Sequence, residues 1–375
     1  MIQTDILVVG ASIAGLAVAA CLQKEGVDYT IIEKATQIAS PWHNHYHRLH
    51  LHTNKRISSL PFKKLSANLP RYPGRQQVIA YLENYRQHFN ICPLFDMEAI
   101  SIKKENGYWI TTTNNETFKS SFVIMATGVF GNPRSIDFKG METFTGKMMH
   151  SCDYKSAADY TGQSVLVAGF GNSACEIAID LFEQGAIPFM SVRSPVNIIP
   201  RDIAGVPILE LSLLLRHFPA RIADAITAPL LRLILGDITT LGLKKMAYGP
   251  FEQFKRNNSI PVLDTGVVKH IRKGHIKVYG GIDFIDGNTV HFLDGGKEVV
   301  DVLVACIGFN NNNAAIVAVE KNRFEDLKVC VDKQQYFGTD GLYFCGFWIG
   351  PTGQIREIAS DAQKIATDIF SRKNI

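Results

Sequence analysis

Short apolar runs that end in glycine punctuate this chain at wide intervals: ILVVG (6–10), VIMATG (123–128), VLVAG (165–169), VLVACIG (302–308) and LYFCG (342–346). A strand covered on both faces has no polar face to present, so such runs predict inner strands of parallel sheets. The first runs into a helical pattern and then a second strand, together DILVVGASIAGLAVAACLQKEGVDYTIIEK (5–34), and the third does the same in SVLVAGFGNSACEIAIDLFEQGAIPFMSVR (164–193). The second and fourth runs each follow a stretch of β-like alternation, YWITTTNNETFKSSF and IKVYGGIDFIDGNTVHFLDG. The last run passes through a glycine turn, GPTGQ, into a closing helix over IREIASDAQKIATDI. The most apolar tract, 206–238, has helical spacing but is broken by Glu210, Arg216, Arg221, Asp224 and Arg232. It cannot supply the ~18 uninterrupted apolar residues of a membrane span. It reads either as amphipathic helices capping a substrate channel or as a helix lying on a membrane surface.

The glycine turns carry the first chemistry. Gly10 and Gly15 are the first and third glycines of a dinucleotide fingerprint, with Ser12 in the second place, where the backbone must approach a pyrophosphate. Serine adds only a hydroxymethyl group, which can itself bond a phosphate. Twenty-three residues after Gly10, Glu33 ends the second strand, placed for a ribose hydroxyl pair. In the second copy, Gly169, Gly171 and Ala174 fit the fingerprint, and Asn172 and Ser173 open a helix whose N-terminus suits an anion. Here Arg193, 24 residues after Gly169, stands where an acid would repel a 2′-phosphate and a guanidinium would pair with it. The first cradle therefore reads as FAD and the second as NADPH. Chain order gives an α/β protein with two Rossmann-like dinucleotide-binding domains, the second inserted in the first. The expected bounds are 1–155 and 301–375 for the FAD domain and 156–300 for the NADPH domain, with a helical segment at 206–245.

Composition narrows the partners. A net charge of +4, with no Lys/Arg block, suits small anionic ligands and gives no support for nucleic acid. Seven scattered cysteines without a CxxC predict free thiols in a reducing cytoplasm, and the first residues, MIQTDILVVG, show no signal peptide. Five histidines (His43, His45, His47, His50, His52) crowd into ten residues of PWHNHYHRLHLHTN. Alternating histidines on a strand would face one way, yet no Cys pair, HExxH or His–carboxylate triad accompanies them, so no metal is expected.

Between the cradles, Phe144, Gly146, His150 and Tyr154 spell FxGxxxHxxxY, a pattern of the class B flavin monooxygenases. The chain resembles their YUCCA type, the plant flavin monooxygenases of auxin synthesis, from first strand to last helix. The resemblance rests on ACLQKEGVDYTIIEKATQIASPWHNHYHRLHLHT, RYPGRQQVIAYLENYRQHF, VRSPVNIIPRD, LILGDITTLGL, PVLDTG and DGLYFCGF. Departures are Ser12 for Gly, Pro41 before Trp42 where the family tends to have Leu, and Cys306-Ile307-Gly308-Phe309 for ATGY.

That resemblance implies a cycle in which NADPH reduces FAD, O2 forms a C4a-(hydro)peroxyflavin, and the distal oxygen passes to a small-molecule substrate. For the YUCCA type the implied reaction turns indole-3-pyruvate into indole-3-acetate with loss of CO2. Oxygenation of nitrogen or sulfur, or Baeyer–Villiger oxidation, stays open within the class. A disulfide reductase would need a CxxC near the flavin, and there is none. The resemblance sets His52 beside the flavin C4a edge as the group that hydrogen-bonds the peroxide, with Asn54 next to it. His43, His45 and His47 become surface or wall residues. Besides the fingerprint positions, the residues expected around the cofactors are Ala14, Lys34, Trp42, Arg48, Leu49, Thr53, Thr127, Gly128, His150, Gly308 and Gly346.

Overall fold

The computed structural model describes residues 1–128, 131–215, 218–257, 259–310, 317–318, 337–348, 350 and 353–373. It divides into two compact units, one of 1–44, 53–132 and 309–375, the other of 45–52 and 133–308. The second unit is wider than the expected 156–300. Its central strand Ser164–Ala168 pairs with Val302–Ala305, which in turn pairs with Lys147–His150. Both flanking strands lie outside the span that the second fingerprint marks, but the ladder needs them.

In the first unit, the apolar runs form one parallel sheet in the order Leu342–Phe344, Phe122–Met125, Ile6–Val9, Thr30–Ile32. Strand Ile6–Val9 is buried throughout, as its all-apolar sequence requires. Helix α1 (Ile13–Lys24) comes next and buries ten of its residues, so it is a core helix with apolar residues all round. A short helix α2 (Ser40–Asn44) starts the histidine-rich run, which does not form the strand that would align its histidines. The longer α3 (Arg75–His88) begins directly after YPG and covers RQQVIAYLENYRQH. A second sheet holds the expected alternation: Tyr108–Thr113 pairs antiparallel with Ala99–Glu105 and with Thr117–Ser120.

The second unit repeats the plan. Five parallel strands run in the order Lys277–Tyr279, Ile187–Ser191, Ser164–Ala168, Val302–Ala305, Lys147–His150. Helix α4 (Asn172–Glu183) comes after the central strand. The alternation over 276–295 becomes the hairpin Ile282–Asp286 and Thr289–Phe292. Within 206–238, helix α5 (Ala220–Leu235) buries Ala223, Thr227 and Leu235 and leaves its other face exposed. Arg216 of that tract lies outside the described residues, as do Pro351 and Thr352 of the closing glycine turn and Cys330. The other six cysteines are unpaired.

Candidate flavin and nicotinamide sites

The first cradle is built by close packing. Gly10 has φ +105, and a Cβ there would meet the Ala126 carbonyl oxygen at 2.8 Å. A Cβ on Gly15 would lie 1.8 Å from the Gly10 oxygen, so only glycine lets α1 sit this close to the turn. Ser12 is the N-cap of α1 but makes no capping bond with its side chain, which leaves the helix N-terminus open to an anion. Glu33 is buried; its Oε2 accepts from Ala11 N (2.7 Å) and its Oε1 from Ala35 N (3.1 Å). Each carboxylate oxygen keeps a lone pair for a ribose hydroxyl. Lys34 beside it is exposed. Gly346 (φ +81) approaches the same helix end: a Cβ there would touch the Cβ of Ala14 at 3.2 Å. Thr127 is exposed, and Gly128 (φ +69) has open space where a Cβ would go.

Arg75 carries a signal that sequence reasoning missed. Ala39 N donates to Ala11 O (3.2 Å), which docks the start of α2 against the first glycine turn. At the other end of α2, Arg75 Nη1 donates to the carbonyls of His43 (2.8 Å) and Trp42 (3.4 Å). Arg75 is 8% exposed, and its Nε and the His43 Nε2 are buried without a hydrogen-bond partner. A buried guanidinium without a carboxylate is costly, so this corner fits an anionic group such as a nucleotide phosphate. The hint in the sequence was an arginine at the first position of a helix, directly after YPG. Thr53 and Asn54 belong to the same unit and are buried. Thr53 Oγ1 donates to Ser58 Oγ (2.6 Å), whose own hydrogen goes to Asn54 O (2.7 Å), and Asn54 Oδ1 accepts from Arg56 N (2.8 Å).

The second cradle obeys the same rules. Gly169 has φ +129, and a Cβ there would meet the Cys306 oxygen at 2.5 Å. Gly171 caps α4, and a Cβ on it would meet no atom within 4 Å, which leaves room for a ligand. Ser173 is half-buried and Ala174 fully buried; Asn172 turns its Oδ1 to Leu263 N (2.8 Å). Arg193 is exposed past the strand Ile187–Ser191, free for a 2′-phosphate. His150 is buried, and its Nε2 lies 3.1 Å from Gly308 O, so that nitrogen carries the hydrogen and Nδ1 accepts from Cys152 N (3.2 Å). Gly308 itself sits at φ +84.

Residues 45–52 pack in this second unit, on the acidic face of α4. Glu176, Asp180 and Glu183 recur at helical spacing along that face. Glu176 accepts from Tyr46 OH (2.9 Å) and from His52 Nε2 (2.7 Å). Asp180 accepts from Tyr154 OH (2.6 Å) and Ala157 N (3.1 Å). Glu183 takes a two-pronged bond from Arg48, 2.9 Å on each prong, and that bond holds its carboxyl below the usual value. Arg48 was expected at a cofactor; the Nε–Nη2 edge of its guanidinium is closed by Glu183, so that edge is not open to a phosphate. Leu49 and Leu51 are buried between these anchors. His47 and His50 are exposed, and His45 meets the Tyr46 ring edge-on. Among the described residues no three His, Cys, Asp or Glu side chains are placed to hold a metal ion.

Comparison with known proteins decides the family. A family model described as pyridine nucleotide-disulphide oxidoreductase matches residues 7–198. Indole-3-pyruvate monooxygenase YUCCA1 of Oryza sativa subsp. japonica is 34% identical over 370 residues, covering 97% of this chain and 90% of that protein. The chain belongs to the YUCCA family of indole-3-pyruvate monooxygenases. Another member, YUCCA6 of Arabidopsis thaliana, is 35% identical over 380 residues, covering 98% of this chain and 90% of its own. The fold is shared more widely. A flavin-containing monooxygenase from Stenotrophomonas maltophilia is matched over 100% of both chains, at a TM-score of 0.71 and 18% identity. A cyclohexanone monooxygenase gives a TM-score of 0.79 at 17% identity, over 100% of this chain and 88% of its own. The two-cradle α/β architecture is thus that of the flavin monooxygenases, and this YUCCA-family chain is an oxidoreductase of the monooxygenase class.

Proposed function

We propose that this chain is an NADPH- and O2-dependent flavin monooxygenase that acts on a small aromatic 2-oxo acid such as indole-3-pyruvate by oxidative decarboxylation. The observation that carries the reading is identity of about a third with indole-3-pyruvate monooxygenases over nearly the whole length of both chains. The first unit would hold FAD and the second NADPH, and the substrate and O2 would be the only other small-molecule partners. When bound, FAD would supply the redox chemistry that takes hydride from NADPH and activates O2.

The chain's own residues bind, orient and shield. The open N-terminus of α1 and the buried Arg75 suit the FAD phosphates, and Glu33 suits its ribose. The N-terminus of α4 and Arg193 suit NADPH. His52 donates Nε2–H to Glu176 and so keeps Nδ1 as an acceptor; on this reading that nitrogen would accept a hydrogen bond from the reacting group. No described helix is long and apolar enough to cross a membrane, and the unpaired thiols support a cytoplasmic setting.

Two experiments test the reading. Purified protein with NADPH and indole-3-pyruvate should form indole-3-acetate with matching O2 uptake; sulfides or amines as the only accepted substrates would shift the function within the class. Arg193→Ala should raise the dissociation constant for NADPH by about 10- to 150-fold, the worth of a charge-assisted bidentate pair. NADH binding should barely change. Equal losses for both nicotinamides in a titration of reduced-flavin formation would make Arg193 structural.

A further inference from the structure

Helix α5 leaves an unusual face uncovered. Ile222, Ile226, Leu230 and Leu233 recur at intervals of four, four and three, and are 48, 54, 36 and 82% exposed. Just ahead of the helix, Phe218 is 51% exposed. Ala223, Thr227 and Leu235 are buried on a face turned about a third of a turn from the strip, so the orientation of the helix is fixed and most of the strip points outward. Isolated exposed apolar residues need no explanation, but a continuous strip does.

Charge decides between occupants. Arg221 and Arg232 stand eleven residues apart, three turns along one edge of the strip, and both are exposed. The strip itself contains no carboxylate. The acids around it are engaged. Asp224 accepts from Phe251 N and Glu252 N at 2.9 Å each, on the packed side. Glu252 is shared by Arg221 and Arg256, two cations on one anion. Asp237, past the helix end, is held by Thr239 N and Oγ1. Size points the same way. Sixteen residues make a helix about 24 Å long and about 10 Å wide, a face of a few hundred Å² against the ~800 Å² per partner of a stable dimer. A bilayer needs no matching partner surface.

We propose that the outer face of α5 lies on an anionic lipid surface, with Ile222, Ile226, Leu230 and Leu233 entering the acyl boundary and Arg221 and Arg232 reaching the headgroups. The helix rests on the membrane and does not cross it. The proposal stands apart from the oxygenation chemistry, since it uses no residue of either cradle.

The test is co-sedimentation of the FAD-loaded protein with phosphatidylcholine vesicles, with and without phosphatidylserine. Wild type should pellet with the anionic vesicles and much less with neutral ones. Ile226→Glu with Leu233→Glu should lower the bound fraction by about tenfold or more, because two carboxylates would have to enter the acyl region. Arg232→Ser should reduce binding to the anionic vesicles while leaving the weak neutral binding as it was. Unchanged FAD content and melting temperature establish that the variants are folded. The proposal is overturned if wild type ignores anionic vesicles, or if the double variant pellets as wild type does. It is equally overturned if wild type is dimeric by analytical ultracentrifugation, the double variant is monomeric, and neither binds vesicles; the strip then belongs to a second copy.

Discussion

Gly15→Ala should yield protein without flavin, and most of it without a native fold. The added methyl would lie 1.8 Å from the Gly10 carbonyl oxygen, and that neighbour is backbone, with no rotamer to move aside. Overpacking that side chains can absorb costs about 1–3 kcal/mol; here α1 itself must retreat from the strand Ile6–Val9, so the cost exceeds that range. The same retreat would pull the N–H groups behind Ser12 away from any pyrophosphate. Gly171→Ala is the matched control. It also changes a fingerprint glycine, but its Cβ would enter open space at the start of α4. That variant should fold, stay yellow and lose only nicotinamide affinity. Flavin released by heating, measured by fluorescence, and the melting curve check both. A yellow Gly15→Ala with the melting temperature of wild type would refute this account of the cradle.

Much of this architecture is legible because the strands concerned are buried on both faces. Continuous apolar runs such as ILVVG and VLVAG are too short for a buried helix and end at glycine turns, which favours inner strands, and those glycines have φ values of +105 and +129 that other residues avoid. The limits of the second unit were harder to see. Strand pairing, which sequence does not encode locally, draws Lys147–His150 and Val302–Ala305 into one sheet. The histidine-rich run was hard to read for a related reason. Its spacing alone leaves its conformation open, and Tyr46, Arg48 and His52 are drawn to carboxylates more than a hundred positions away on α4. Arg75 is invisible to motif reading for the converse reason: its distinguishing property is burial without a counter-ion, which arises only in three-dimensional packing.

Those carboxylates give the second large expectation. His52→Gln should retain FAD and the rate of flavin reduction by NADPH, yet release most of its reducing equivalents as hydrogen peroxide. The glutamine amide nitrogen reaches about as far as Nε2, so it can still donate to Glu176, and the buried carboxylate is not stranded beside Tyr46 alone. The variant loses the second ring nitrogen, the only part of His52 left to face the reacting group on the proposed reading. On the proposed reading Nδ1 accepts a hydrogen bond from the reacting group, and losing that acceptor in a dry site costs about 1–3 kcal/mol, so the ratio of product to peroxide should fall about 5- to 150-fold. Glu176→Gln should act on the same ratio more weakly. Its amide oxygen can still receive Nε2–H, but in the flipped rotamer the NH2 group faces the ring and favours the other tautomer, so only part of the population stays competent. Tyr46→Phe leaves His52 and its carboxylate together and should remain coupled, with a modest drop in melting temperature from the lost hydrogen bond. Parallel assays of NADPH consumption, indole-3-acetate and peroxide separate these cases. If His52→Gln stays as tightly coupled as wild type, His52 anchors residues 45–52 to α4 and takes no part in the oxygen chemistry.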